Sequence, residues 1–243
     1  MKHVCTDKTG MSDRVGVLSL LKYLNKEIEI AFKEHPYGFF TEHDIHSKLS
    51  LIASRILTEE GALYAETNEG IAVSRVHHEY PTPFRCHMKG SQFRAITEVE
   101  FREQRKRNPR FRARRGYFDF VIFNSNYISS CCLRVVSGKR YRYLLDSLKD
   151  QQHPALDLAL EVVYYPVFDE RPHFGMMKRR IDSAIQDYKK LTALMEFAYQ
   201  DNEPFCKEAA MMLFSNTTYK SKLEKMLSYI PTNEKVSFFS ILH

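Results

Sequence analysis

The chain has 243 residues, of which 44% are hydrophobic and 27% charged, enough apolar material for one sizeable core under an ordinary charged surface. No run of eighteen apolar residues occurs and the first residues carry no apolar leader stretch, so the sequence predicts a cytoplasmic protein without a membrane span. The net charge of +6 allows a polyanionic partner without requiring one. The five cysteines, Cys5, Cys86, Cys131, Cys132 and Cys206, form no Cys-x-x-Cys pair, which argues for reduced thiols over disulfides or a zinc site.

In chain order, residues 15–34 predict a helix, with Leu20, Leu21, Leu24, Ile28 and Phe32 at helical spacing, ended by His35-Pro36-Tyr37-Gly38. A second helix starts at Thr41, an N-cap with Asp44 three residues on in a capping-box arrangement, and Phe40 and Ile45 form a candidate hydrophobic staple. Ile45, Leu49, Ile52, Ile56 and Leu57 mark its buried stripe. Residues 71–80 predict a strand stopped by Pro81 and Pro83. Residues 84–100 fit either state.

A basic run follows: Arg102, Arg105, Lys106, Arg107, Arg110, Arg112, Arg114 and Arg115, interrupted by Asn108-Pro109 and predicted as an exposed loop. Residues 117–123 are almost wholly apolar or aromatic, as in a strand covered on both faces, with Asp119 inside. Residues 133–136 predict a strand and 141–148 a short helix. Residues 156–165 form the second strong strand, with Glu161 inside. A long helix over 174–199, a strand over 209–214, a helix over 219–227 and a strand over 236–242 complete the reading. The alternation predicts an α/β fold, a layered mixed β-sheet flanked by helices. A tail and helix at 1–38 would pack on an α/β domain at 39–243.

A carboxylate in a buried strand needs a cation or a proton, because desolvating it unpaired costs several kcal/mol. Asp119 and Glu161 both stand in apolar strands. If those strands are neighbours, two hard oxygen ligands converge, which suits Mg²⁺ or Mn²⁺ and phosphodiester chemistry. The alternative for each acid alone is a strand end or an arginine partner. Glu79, in Val76-His77-His78-Glu79-Tyr80-Pro81, is a further candidate, sharing a strand face with His77; its alternative is a strand-end acid beside solvent-facing histidines.

The segments Phe39-Phe40-Thr41-Glu42-His43-Asp44, Arg115-Gly116-Tyr117-Phe118-Asp119-Phe120-Val121 and Ala159-Leu160-Glu161-Val162-Val163, followed by the helical Ile185-Gln186-Asp187-Tyr188-Lys189-Lys190-Leu191, resemble the restriction-endonuclease-like, or PD-(D/E)XK, nuclease superfamily. The resemblance covers about residue 39 to the end in short, degenerate motifs. It implies that Asp119 and Glu161 hold the metal. It also implies that Glu42 assists, where the alternative is a helix-dipole role in the first turn. The family's motif lysine falls at Val163, which cannot orient a water or stabilise negative charge. Lys178, Arg179 and Lys189 are candidate substitutes, or ordinary solvated charges.

The basic run places positive charge near the start of the Asp119 strand. Its arginines suit phosphate, and Phe101, Phe111 and Tyr117 could stack on unpaired bases; a solvated loop without ligand is the alternative. No phosphate-binding, dinucleotide or nucleophile-elbow glycine motif occurs. Three functions fit. One is a metal-dependent nuclease acting on DNA rather than RNA. A second is a nuclease-fold module that binds without cutting. A third is a protein-interaction domain with no nucleic-acid contact. Oligomeric state is not legible.

Overall fold

The computed structural model describes residues 17–89, 92–137, 153–165, 174–197, 204–216, 224, 227–230 and 233–242, with backbone only at 17–19, 174–178 and 180. The chain is a mixed α/β fold around a six-stranded sheet. In chain order the elements are helices α1 (Val17–Glu34) and α2 (Glu42–Glu59), a small hairpin of β1 (Tyr64–Glu66) and β2 (Ala72–Ser74), then β3 (Val76–Lys89), β4 (Gln92–Ile96), α3 (Glu98–Arg107) and β5 (Arg114–Phe123). Short helices α4 (Ser125–Ser130) and α5 (Leu133–Val136) precede β6 (Leu156–Tyr165), α6 (Phe174–Met195), β7 (Cys206–Ser215) and β8 (Val236–Leu242). The sheet order is β4-β3-β5-β6-β7-β8. Pairings are antiparallel from β4 to β6 and parallel from β6 to β8, with α6 as the crossover that a parallel pair needs.

Two cores sandwich the sheet. Helices α1 and α2 bury Leu24, Ile28, Phe32, Leu49 and Ala53 against Phe120, Leu160, Val162 and Phe214 on one face. On the other, α6 buries Ile181, Ala184, Tyr188 and Leu191 against Val121, Ala159, Val163 and Met211. Covered on both sides, all ten residues of β6 are buried, which explains its unbroken apolar run. No described helix is long and apolar enough to cross a membrane.

At one end the central strands are clamped. Arg75 donates to the carbonyls of Phe123 (2.8 Å) and Ala62 (3.1 Å) and to Asp157 Oδ2 (2.5 Å). Asp157 also accepts from Asn124 (2.8 Å) and pairs with Lys207 (2.8 Å). The two acids of β6 thus have separate fates: Asp157 closes the sheet here, and Glu161 faces the other end.

Several expectations are corrected. The strand expected to stop at Pro81 and Pro83 runs through both as β3. Pro81 pairs with Tyr117, the register then shifts before Arg85, and pairing to β4 begins only at Arg85, so the missing N–H groups fall where one edge of β3 has no partner. The basic run is not all loop. Arg102 to Arg107 lie on α3, capped by Thr97, whose hydroxyl accepts from Glu100 N–H (3.2 Å). Glu98 and Glu100 stand in its first turn and Arg105, Lys106 and Arg107 in its last, which complements the helix dipole. Residues 133–136 are one helical turn, not a strand, and Cys131 and Cys132 lie between helices. Cys86, Cys131, Cys132 and Cys206 are free thiols. The capping box at Thr41 and Asp44 is formed, but Phe40 is 64% exposed and does not act as the expected staple, while Phe39 is the buried ring. The expected helix at 141–148, most of that at 219–227, the start of the chain and Cys5 lie outside the described residues.

Candidate active site

Strands β5 and β6 pair only as far as Phe120 and Leu160. Beyond that point they separate, and the freed N–H groups of β6 must find other acceptors. Carboxylates supply them: Val162 N–H donates to Asp119 Oδ2 (2.8 Å) and Tyr164 N–H to Glu42 Oε1 (3.3 Å). The Tyr164 hydroxyl donates to the Phe39 carbonyl (2.5 Å), fixing the chain just ahead of α2. The split opens a cleft of about 400 Å³ lined by Phe40, Glu42, Asp119, Glu161, Asp187 and Lys190, among others.

The cleft floor is an ion-pair cluster. Lys190, on α6, sets its Nζ 2.8 Å from Glu161 Oε1 and 3.2 Å from Asp187 Oδ1, and donates to the Tyr117 carbonyl (2.8 Å). Glu161 is 1% exposed and Lys190 9%. Burial pushes the Glu161 carboxyl well above the ordinary glutamate range; Lys190 pulls the other way, and Asp119 adds to the rise. Burial likewise raises Asp187. Burial alone would lower Lys190, but the charges of Glu161 and Asp187 outweigh it and hold the ammonium above the usual lysine range.

Asp119 lies where the strands change phase. Opposite it on β3, Glu79 has φ +51°, a left-handed conformation that costs a non-glycine residue on the order of 1 kcal/mol. Across this point His78 touches Phe120 and His46 on the α2 side, whereas Tyr80, two residues on, joins the opposite core. His46, from α2, approaches Asp119 with Nε2 3.9 Å from Oδ2, and burial lowers its pKa against the pull of that carboxylate. His43 and His78 flank His46.

The structure therefore gathers Asp119, Glu161 and Glu42 around one cleft. Glu79 sits opposite Asp119 on the neighbouring strand but is exposed and does not line the cleft, and the left-handed turn breaks the face it was expected to share with His77. Of the expected lysine substitutes, Arg179 is exposed, Lys189 is half-buried outside the cleft lining, and the side chain of Lys178 lies outside the described residues. The cation comes instead from Lys190. The signal was present in sequence: Asp187, Lys190 and Leu194 recur at helical spacing beside a buried stripe, so a charged pair there must face a charged or polar floor. Val163 is buried in the α6-side core, on the face from which Lys190 arrives.

Scans against family models, curated proteins and solved structures returned no match. The functional reading therefore stands on geometry.

Among the described residues, four carboxylates line the cleft, Glu42, Asp119, Glu161 and Asp187, against one ammonium, that of Lys190. Such an all-oxygen, anionic donor set fits a hard dication. Among the described residues no three His, Cys, Asp or Glu side chains form a ready-made metal cage. Mg²⁺ needs none, since it keeps several waters and commonly takes one or two carboxylates.

The raised carboxyls have a consequence for stability. Glu161 and Asp187 bind protons more tightly folded than unfolded, so their contribution is full below the ordinary carboxylate range and is lost as pH rises through their raised values. His46 and His77, lowered by burial, act oppositely: their contribution is present above the ordinary histidine value and is lost as pH falls through the lowered one. Melting curves from about pH 4 to about pH 8 should show Glu161→Gln gaining on the parent as pH rises. A difference between the two that does not change with pH would contradict the raised Glu161.

Proposed function

We propose that the protein is a metal-dependent nuclease with a restriction-endonuclease-like arrangement, acting in the cytoplasm on phosphodiester bonds of DNA rather than RNA. The observation that supports it most is Lys190 reaching Glu161 across the cleft floor, beside Asp119. An ammonium from α6 then stands in for the lysine that Val163 lacks.

Asp119 and Glu161 would hold Mg²⁺ or Mn²⁺, with Glu42 assisting. Such an ion, when bound, polarises the phosphodiester and makes a water more acidic. Lys190 supplies fixed positive charge where negative charge develops on the phosphoryl oxygens, in a site partly closed to water. Asp187 and the Tyr117 carbonyl hold that ammonium in place. The Val162 N–H fixes the Asp119 carboxylate. A gel assay on labelled DNA should show cleavage that requires Mg²⁺ or Mn²⁺ and falls at least about a hundredfold in Asp119→Ala. Undiminished cleavage by an Asp119→Ala, Glu161→Ala double variant would reject the reading.

One observation favours a second reading, a module that binds nucleic acid or a protein partner without cutting. Lys190 already donates to Asp187 and to the Tyr117 carbonyl and is ion-paired with Glu161. Its charge is thus already matched inside the protein, before any substrate oxygen arrives. That reading predicts salt-sensitive binding through the basic segment with no turnover.

A further inference from the structure

Helices α1 and α2 fold back on each other through residues 35–41 and bury one side of the pair on the sheet. Where they meet solvent, a groove of about 420 Å³ runs between them. Its walls are one stripe of each helix, at the spacing i, i+3, i+4, i+7. The α1 wall reads Glu27, Ile30, Ala31, Glu34, and the α2 wall reads Lys48, Leu51, Ile52, Arg55. Each wall has an apolar centre between two charges, acidic on α1 and basic on α2.

The two walls also match in level. Arg55 Nη2 lies 2.6 Å from Glu27 Oε2. Two helical turns nearer the bend Glu34 stands level with Lys48. Neither of these two has an ion-pair partner among the described residues. Between the charges, Ile30 is 43% exposed and Leu51 64%. Single exposed apolar side chains are ordinary on protein surfaces. Ile30 and Leu51 are set apart by facing one groove whose two walls carry opposite charge.

We propose that this groove is a self-association surface, on which a second copy of the chain docks its own α1 and α2 about a two-fold axis lying along the groove. That operation lays α1 of each copy antiparallel on α2 of the other without changing their level. Glu34 of each copy then meets Lys48 of the other, Glu27 meets Arg55, and Ile30 packs with Leu51 and Ile52. A two-fold axis across the groove would instead set α1 on α1 and α2 on α2, acid on acid and base on base, so charge selects the first orientation. Two helices of 18 residues, each about 27 Å long and about 10 Å wide, offer roughly 500 Å² per copy. The pair buries about 1,000 Å², at the lower bound for a specific interface, so the dimer is weak and forms in the micromolar range. None of the groove residues lines the cleft, so the proposal holds whether or not the cleft cuts nucleic acid.

Sedimentation velocity of the full chain, from about 1 to about 200 µM so as to bracket a micromolar Kd, should show a monomer–dimer equilibrium. Glu34→Lys and Lys48→Glu should each weaken it at least about tenfold, because each sets like charges together twice in the dimer. An equimolar mixture of the two variants should associate about as tightly as the parent, since one then carries lysine at both positions and the other glutamate at both. A Glu34→Lys, Lys48→Glu double variant should dimerise with the charges exchanged. Leu51→Glu, which removes the apolar centre, should also weaken the dimer at least about tenfold. A parent that stays monomeric, single variants or Leu51→Glu that dimerise like the parent, or a mixture that does not recover would overturn the proposal. If a single variant fails to fold, a monomeric double variant would overturn it in the same way.

Discussion

Replacing Lys190 with methionine should destabilise the protein by about 3–5 kcal/mol at neutral pH, the usual result of removing one partner from a buried ion pair. The side chains of Glu161 and Lys190 are 2% and 11% exposed, so water cannot take the place of the lost ammonium. The Tyr117 carbonyl loses its donor as well. The stranded Glu161 must then take up a proton, and its pKa, already raised by burial, has lost the cation that restrained it. The deficit should therefore shrink as pH is lowered into the carboxylate range. A Glu161→Gln, Lys190→Met double variant should recover most of the stability, because the fully buried charge at position 161 is gone and Asp187, whose side chain is 33% exposed, keeps contact with water. Urea unfolding of the two variants and the parent measures this. A single-variant loss below about 1 kcal/mol, the range of a surface pair, would mean that the two charges do not hold each other as described.

The second large effect is expected at the opposite end of the same strands. Arg75→Met removes the donors to two carbonyls and breaks the buried pair with Asp157, whose side chain is 7% exposed. Asn124 and Lys207 still reach Asp157, so its charge is not wholly stranded. A cost of about 3 kcal/mol is expected, near the lower end for a broken buried pair. The position matters for the cleft. Arg75 joins β5 to β6 where they are closed, and Asp119 and Glu42 take over the freed hydrogen bonds where they part. Under the nuclease proposal, loosening the clamp should slow cleavage by misplacing Glu161 against Asp119, an effect that urea titration and the cleavage assay would register together. A variant as stable as the parent would show that the clamp does not set the register.

Local signals were the legible ones. The Thr41 and Asp44 capping box acts within four residues, and the apolar runs of β5 and β6 carry their burial in their own composition. The acids Asp119 and Glu161 stood out because each is costly where it sits, and the structure brings both to one cleft. Lys190 was not recovered, because its partner Glu161 lies on another element and only α6 packing across β6 brings them together. The clamp at Asp157 is hidden from local pattern for a related reason: its cations, Arg75 and Lys207, come from distant parts of the chain. The passage of β3 through two prolines depends on which of its edges has a neighbour, which no local pattern encodes. The α3 helix, by contrast, carries a local signal in its Thr97 N-cap and first-turn acids, set against the charge density of the basic run that follows.

Asp119 and Glu161 are proposed as a metal pair, and anomalous diffraction from crystals soaked in Mn²⁺ tests this directly. The expected result is an anomalous peak in the cleft, ligated by both carboxylates and lost in Asp119→Ala. A cleft without manganese, with Lys190 still paired to Glu161 in the soaked crystal, would contradict it.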